Sequence, residues 1–273
     1  MTGETPGTER GEGPRPSGVE VRELDDLDEF ERVYRLFDEI WRFGSGAAPV
    51  TVELMRALAH SGNYVAGAYA DGELVGASVG FLSAPAGRAL HSHVTGTREG
   101  GGTGFALKLH QREWALARGL DTITWTYDPL VRRNAHFNLT KLGALPTEYL
   151  RDFYGVMDDA INTGEESDRV LASWDLNAPR VAACCSGVPY RPAVSLEAAV
   201  ALEDRGGRPL AQLTGADVVL VAVPADIELT RRRDPLLARE WRLAVRETLG
   251  GLMDGGARVT GFHHRTYYVV EKA

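Results

Sequence analysis

Residues 89 to 108 read Ala89-Leu-His-Ser-His-Val-Thr-Gly-Thr-Arg-Glu-Gly-Gly-Gly-Thr-Gly-Phe-Ala-Leu-Lys, residues 121 to 130 read Asp121-Thr-Ile-Thr-Trp-Thr-Tyr-Asp-Pro-Leu, and residues 134 to 144 read Asn134-Ala-His-Phe-Asn-Leu-Thr-Lys-Leu-Gly-Ala. The first is a strand whose glycine loop opens a helix, the second a strand rich in Thr, Ile and Trp, the third a short helix closed by Gly143. A glycine turn at the start of a helix leaves backbone N–H groups pointing outward, with the positive end of the helix dipole behind them. Such a turn is suited to a pyrophosphate.

Working outward, Val19 to Leu24 alternates like a strand, and Asp28 to Phe43 carries Phe30, Val33, Tyr34, Phe37, Ile40 and Trp41 at helical spacing. A second helix is expected over Val52 to Ala59. The runs Tyr64 to Tyr69 and Leu74 to Leu82 flank Asp71-Gly72, a hairpin signal, and Leu90 to Thr97 is the third strand in series. The glycine loop opens a helix over Thr103 to Arg118, Thr122 to Tyr127 is a strand, and Asn134 to Leu142 a helix.

After Trp174 the character shifts, because Asn177 to Pro192 holds three prolines and little periodicity. A boundary is expected there, dividing residues 18–175 from a C-terminal α+β part, residues 176–273. In that part, Asp217 to Val223 reads as a buried strand, Asp234 to Met253 as an amphipathic helix and Arg258 to Val270 as a two-stranded ribbon. Residues 1–17, rich in Gly, Pro, Thr and Glu, are expected to be a disordered tail.

The 273 residues are 44% hydrophobic and 25% charged, an ordinary globular composition. A net charge of -8 and a pI near 5.4 argue against nucleic acid or an anionic membrane as partner, since both demand a basic field. The only cysteines, Cys184 and Cys185, are adjacent, which suits a reduced compartment better than a structural bridge. With no signal-like start and no apolar run long enough to span a bilayer, the cytoplasm is the expected location.

Three ligands compete for the glycine loop: a nucleoside triphosphate, a dinucleotide and coenzyme A. Gly100-Gly-Gly-Thr-Gly lacks the Gly-Lys-Ser/Thr ending of a nucleotide-phosphate loop, and Gly102-x-Gly104 lacks the third glycine of the dinucleotide turn. The order of strand and two helices, three-strand meander, glycine loop and helix, strand, and short Asn-Ala helix resembles the GNAT acyltransferases. More narrowly, the chain is similar to a predicted GNAT subfamily through Leu90-His-Ser-His, Ala106-Leu-Lys, Gln111-Arg-Glu-Trp-Ala, Thr124-Trp-Thr-Tyr-Asp-Pro-Leu, Arg133-Asn-Ala-His-Phe-Asn, Lys141-Leu-Gly-Ala, Asp168-Arg and Trp241-Arg.

The resemblance implies an α/β fold with a GNAT-like mixed sheet flanked by helices, and a C-terminal α+β extension. It implies acetyl-CoA or another acyl-CoA as cosubstrate, its pyrophosphate on Glu99 to Gly104, with Arg98, Gly100, Gly101, Gly102, Thr103 and Gly104 as binding residues. Its pantetheine arm is expected along Val94, Thr95 and Gly96, with Asn134 and Phe137 on the following helix as further contacts. Two positions depart from the pattern. Glu99 stands where the family generally has Gln or Arg, beside a loop about three residues shorter than usual, and Leu139 stands where many members place the Tyr that protonates the leaving thiolate.

Amide formation needs a neutral amine, and a free amine of pKa about 10 is almost all ammonium at neutral pH. His91 and His93 lie two apart on the strand expected to carry the thioester, so both face one side of the sheet and are candidates for the base, against the plainer reading that they satisfy hydrogen bonds. Backbone N–H groups beside Val94 and Thr95 are placed to polarise the thioester oxygen. Asp128 is the third catalytic candidate, as base or as partner of an acceptor ammonium.

Arg239, Arg242 and Arg246 form a stripe expected to be solvated and partly ion-paired, with a carboxylate of substrate as the sharper reading. Asp168-Arg169 reads as an ion pair tying the two halves together. His263, His264 and the cysteines match no zinc spacing, so no metal is expected. The expected activity is N-acyl transfer from acetyl-CoA, or from a succinyl-type donor, to a small-molecule amine or amino acid. The alternative is a non-catalytic acyl-CoA-binding or sensing protein, and a homodimer is left open.

Overall fold

The computed structural model describes residues 18–43, 48–98, 102–155 and 166–272. The tail expected over residues 1–17 lies outside them. The described part begins with strand β1 (Glu20–Glu23), then helices α1 (Leu27–Trp41) and α2 (Val52–His60). Asp26 caps α1 through its side chain, accepting from the Asp28 N–H at 2.8 Å, and Thr51 does the same for α2. The apolar positions of α1 bury Phe30, Val33, Leu36 and Phe37 on one stripe, as the helical spacing requires.

Strands β2 (Tyr64–Ala70), β3 (Glu73–Ser83) and β4 (Ala89–Thr97) form the antiparallel meander. Asp71 and Gly72 both take positive φ, 51° and 80°, so the two-residue turn matches the twist of its strands. Helix α3 (Thr103–Ala117) leads to β5 (Thr122–Tyr127), then to α4 (Arg132–Ala135), which runs on as a π-helical turn, His136–Lys141. Strands β6 (Leu145–Leu150) and β7 (Arg169–Asp175), not foreseen from the pattern, complete a seven-stranded sheet in the order β1-β2-β3-β4-β5-β7-β6. Only the β4–β5 step is parallel, so the sheet is mixed.

Beyond it come α5 (Pro179–Cys185), β8 (Ala199–Arg205), β9 (Arg208–Ala211), β10 (Val218–Ala222), α6 (Ile227–Arg233), α7 (Pro235–Val245), a π-helical turn (Arg246–Gly250), α8 (Gly251–Asp254), β11 (Arg258–His263) and β12 (Tyr267–Glu271). The strands among them build a second sheet, β11-β12-β10-β8-β9. The helix expected over Asp234 to Met253 is present as α7, the π-helical turn and α8 in succession. The ribbon around His263-His264-Arg265 is β11 and β12. Both cysteines are buried free thiols on α5.

One buried cluster packs α1 and α2 on β2 and β3, through Phe30, Val33, Phe37, Met55, Val65 and Val79. The other spans the opposite face and continues into the C-terminal sheet, joining Leu90, Trp114, Trp125 and Trp174 to Val219, Trp241 and Tyr268. The Tyr268 hydroxyl donates to the Pro129 carbonyl at 3.0 Å, and Arg132 donates to the Val223 carbonyl at 2.7 Å. Among the described residues no helix is long and apolar enough to cross a membrane.

Candidate active site

Strands β4 and β5 pair only at Ala89 with Thr122, Leu90 with Ile123 and His91 with Thr124. Beyond His91 they diverge, although β4 stays paired with β3 as far as Thr97. The edge of β4 that faces β5 therefore carries no ladder partner among the described residues from Ser92 onward, an open backbone edge inside a sheet. An extended chain of amide-bearing ligand satisfies such an edge, because unpaired N–H and C=O groups are costly away from water.

A bulge sits at the fork. Val79 pairs with Val94 but Gly80 pairs with Ser92, leaving His93 as the extra residue on β4. His91 and His93 still face the same side, where both rings lie against Phe81, with centroids at 5.3 and 5.8 Å. His91 Nδ1 lies 3.0 Å from Thr124 Oγ1, and His93 Nε2 lies 3.0 Å from the carbonyl of Pro49 in the segment before α2. Burial, with His93 and Lys108 adding repulsion, lowers the pKa of His91 to about 4, so its imidazole is neutral at pH 7. On the same side, Thr126 Oγ1 meets Tyr154 Oη at 3.1 Å. These side chains form a polar floor of hydroxyl and imidazole groups beside the fork.

The opposite face at the fork belongs to α3. Ser78 Oγ and Thr95 Oγ1 are 2.8 Å apart, the Gln111 side-chain amide donates to Ser78 Oγ at 3.4 Å, and Lys108 Nζ donates to Ser92 Oγ at 2.9 Å and to Gln111 Oε1 at 3.1 Å. Lys108 was marked in the sequence only as the last residue of Ala106-Leu-Lys and was given no role. Its signal was a charged residue on the buried stripe of α3, one turn before Gln111 and two before Trp114 and Ala115.

Helix α3 opens at Gly102, whose φ of 74° is the left-handed region that favours glycine. No side chain among the described residues caps it, and Phe105 and Ala106 are the first N–H groups that bond back to the Gly102 carbonyl. The expected binding residues Gly100 and Gly101, with Glu99, lie outside the described residues. Thr103 is buried at the helix start. A Cβ placed on Gly104 would come no nearer than 4.0 Å to Phe137 Cζ, on the π-helical turn, and to Thr97 Cγ2, so a methyl would fit at the start of α3 without a clash. Asn134 is half-buried on α4.

Three expected residues have other commitments. Gly96 faces α1, where a Cβ would lie 2.7 Å from Trp41 and 3.0 Å from Ile40 and Phe37, so helix packing accounts for this glycine. The Arg98 side chain donates to Glu39 on α1 at 2.9 Å. Asp128 is buried and held by Arg242 through two bonds of 2.8 Å and by Arg231 at 2.6 Å, while accepting from the Leu130 N–H. Burial alone would raise its pKa, but the guanidinium groups overcome that and hold it well below the usual carboxylate range. A carboxylate so held is a poor proton acceptor, which turns its reading from catalytic base to buried anchor.

The arginine stripe expected to be solvated is likewise turned inward at two of its members. Arg242 is buried against Asp128, and Arg246 donates to both oxygens of Asp168 at 2.8 and 2.6 Å and to Glu166. The tie expected from Asp168-Arg169 thus runs from Asp168 to Arg246, while Arg169 donates to the Asp168 backbone carbonyl and lies over the Tyr154 ring. Leu139 is fully buried in the π-helical turn, part of the core.

No protein-family model matches the chain, and no curated protein matches it. Among solved structures it is similar to a putative acetyltransferase from Salmonella typhimurium solved with its cofactor acetyl-CoA, at 15% identity over 60% of this chain and 98% of that one, TM-score 0.48. It is also similar to an N-acetyltransferase from Staphylococcus aureus Mu50, at 14% identity over 59% of this chain and 100% of that one, TM-score 0.48. A third is the ribosomal-protein-S18-alanine N-acetyltransferase from Escherichia coli, at 13% identity over 59% of this chain and 95% of that one, TM-score 0.46. The chain itself has a seven-stranded mixed sheet flanked by helices, with a second, five-stranded sheet added at the C-terminal side.

Proposed function

We propose that the protein transfers an acyl group from a coenzyme A thioester to the amine of a small molecule or amino acid. The observation that carries this reading is the fork between β4 and β5, whose open backbone edge leads from His93 toward the start of α3. The residues present fit an acyl-CoA. The edge from Val94 to Gly96 offers backbone groups to the pantetheine amides, and the uncapped N–H groups at Thr103 and Gly104 suit its pyrophosphate. The bound thioester supplies an activated carbonyl.

The floor of His91, His93, Thr124, Thr126 and Tyr154 supports an acceptor site beside that carbonyl. His91, neutral at pH 7, can accept a hydrogen bond from an incoming amine. Acetyl is the default acyl group, with a succinyl-type group as the second choice. A cytoplasmic location accords with this use of a CoA thioester.

Purified protein is mixed with acetyl-, succinyl- and longer acyl-CoAs against a panel of amines and amino acids, while thermal shift and free-thiol release are followed. Stabilisation with amine-dependent thiol release is expected. Stabilisation without release under any acceptor would favour the alternative of an acyl-CoA sensor, which the core position of Leu139 supports. No shift with any thioester would reject both readings.

A further inference from the structure

Lys108 is a buried lysine with no carboxylate partner among the described residues, placed at the apex of the fork. The last β4–β5 pair is His91 with Thr124, and the next residue of each strand, Ser92 and Trp125, is what Lys108 touches. Its Nζ donates to Ser92 Oγ at 2.9 Å and stands 4.0 Å from the centroid of the Trp125 ring, with Gln111 Oε1 at 3.1 Å as its third partner. It is only 5% exposed. Two neutral oxygens and an aromatic face satisfy an ammonium without neutralising it.

A lysine kept in such a place costs stability, since burial disfavours the charged form and a methionine of similar length would fill the same volume without that cost. Burial lowers its pKa to about 7, which makes the ammonium a stronger acid than an exposed lysine and leaves a protonated population at neutral pH. On β4, at the opposite side of the sheet, it repels His91, which His93 repels as well. Trp125 from β5 and Gln111 and Ser78 from α3 and β3 bring no charge.

We propose that Lys108 is the proton donor to the sulfur that leaves in acyl transfer. This rests on the function proposed above. There the C–N bond forms as the C–S bond breaks, the attacking amine gives up one proton to water or to the histidine face, and the departing sulfur takes one proton from Nζ. Lysine is then reprotonated from solvent, so the cycle balances as thioester plus amine to amide plus thiol. The two proton transfers use opposite faces of the fork, the imidazoles on one and Lys108 on the other. The arrangement also accounts for Leu139, since a second donor makes a tyrosine in the π-helical turn unnecessary.

The test compares wild type with Lys108→Met and Lys108→Gln, using an acyl-CoA and the corresponding selenoester, whose leaving atom needs no proton at neutral pH. Side-chain NMR of Nζ in the ligand-free protein gives an independent readout, with a titration near pH 7 expected. With the thioester, both variants are expected to keep KM within about threefold while kcat falls about 100-fold or more. With the selenoester most of that loss disappears, which a structural role would not produce. An unchanged kcat in folded variants, an equal loss with both leaving atoms, or an Nζ that titrates above pH 10 would overturn the proposal while leaving the acyltransferase intact. A wild-type protein that releases thiol from no thioester would overturn both.

Discussion

Asp128, at the end of β5, and Arg242, on α7 and 114 residues later, form a buried two-bond ion pair in which both nitrogen–oxygen distances are 2.8 Å. Arg231 adds a third bond, so one carboxylate fastens two helices of the C-terminal part to the strand that forms one arm of the fork. Removing the carboxylate leaves buried cations without their acceptor. Asp128→Asn is expected to cost about 3–5 kcal/mol of stability, read as a lowered denaturation midpoint. An unchanged midpoint would show that the pair contributes nothing net.

The His91 imidazole gives a pH prediction. Its folded pKa of about 4 lies below the ordinary value of 6.5, so between those limits the unfolded chain binds more protons than the folded one. Stability is therefore lost as pH falls from 6.5 toward 4. NMR of the ring is expected to show a titration near pH 4, and His91→Phe is expected to flatten the stability slope in that window. A ring that titrates at 6.5 would contradict the buried, Thr124-bonded geometry.

The meander, the glycine turn and α3 were legible because each is encoded locally, by alternation, by Asp71-Gly72 and by the left-handed Gly102. Strands β6 and β7 were not. Leu145-Pro-Thr-Glu-Tyr-Leu opens with an early proline and carries polar residues, and it becomes a strand by pairing with β7, which itself pairs along the whole of β5. The shared face of His91 and His93 followed from period two and survived the bulge. The partners of Asp128 and Asp168 did not follow, because Arg242 and Arg246 are 114 and 78 residues away and sequence spacing says nothing about which charges a fold brings together. Lys108 was given no role for a related reason: its position on the helix was readable, while the divergence of β4 and β5 above it was not.

Gly96 tests whether the packing of α1 sets the position of the open edge. A methyl there meets Trp41 at 2.7 Å, closer than real side chains approach, and Ile40 and Phe37 at 3.0 Å, so three packed side chains on one helix must shift together. Gly96→Ala is expected to cost about 1–3 kcal/mol and to weaken acyl-CoA binding by displacing β4 from α1. Wild-type stability in the variant would mean that the helix moves freely over the strand.

Lys108 also leaves a signature in stability that needs no substrate. Its folded pKa of about 7 lies below the ordinary 10.4, so from pH 7 to 10 the unfolded chain holds the extra proton and folding is favoured as pH rises. The burden of burying the ammonium is complete below pH 7 and gone above about pH 10.4. Lys108→Met removes that burden, although it also strips Ser92 Oγ and Gln111 Oε1 of a donor. The stability of wild type relative to Lys108→Met is therefore expected to increase steadily between pH 7 and pH 10, whichever protein is the more stable at pH 7. Denaturation midpoints of the two proteins measured across that range check it, and parallel curves would place an ordinary, hydrated ammonium at position 108.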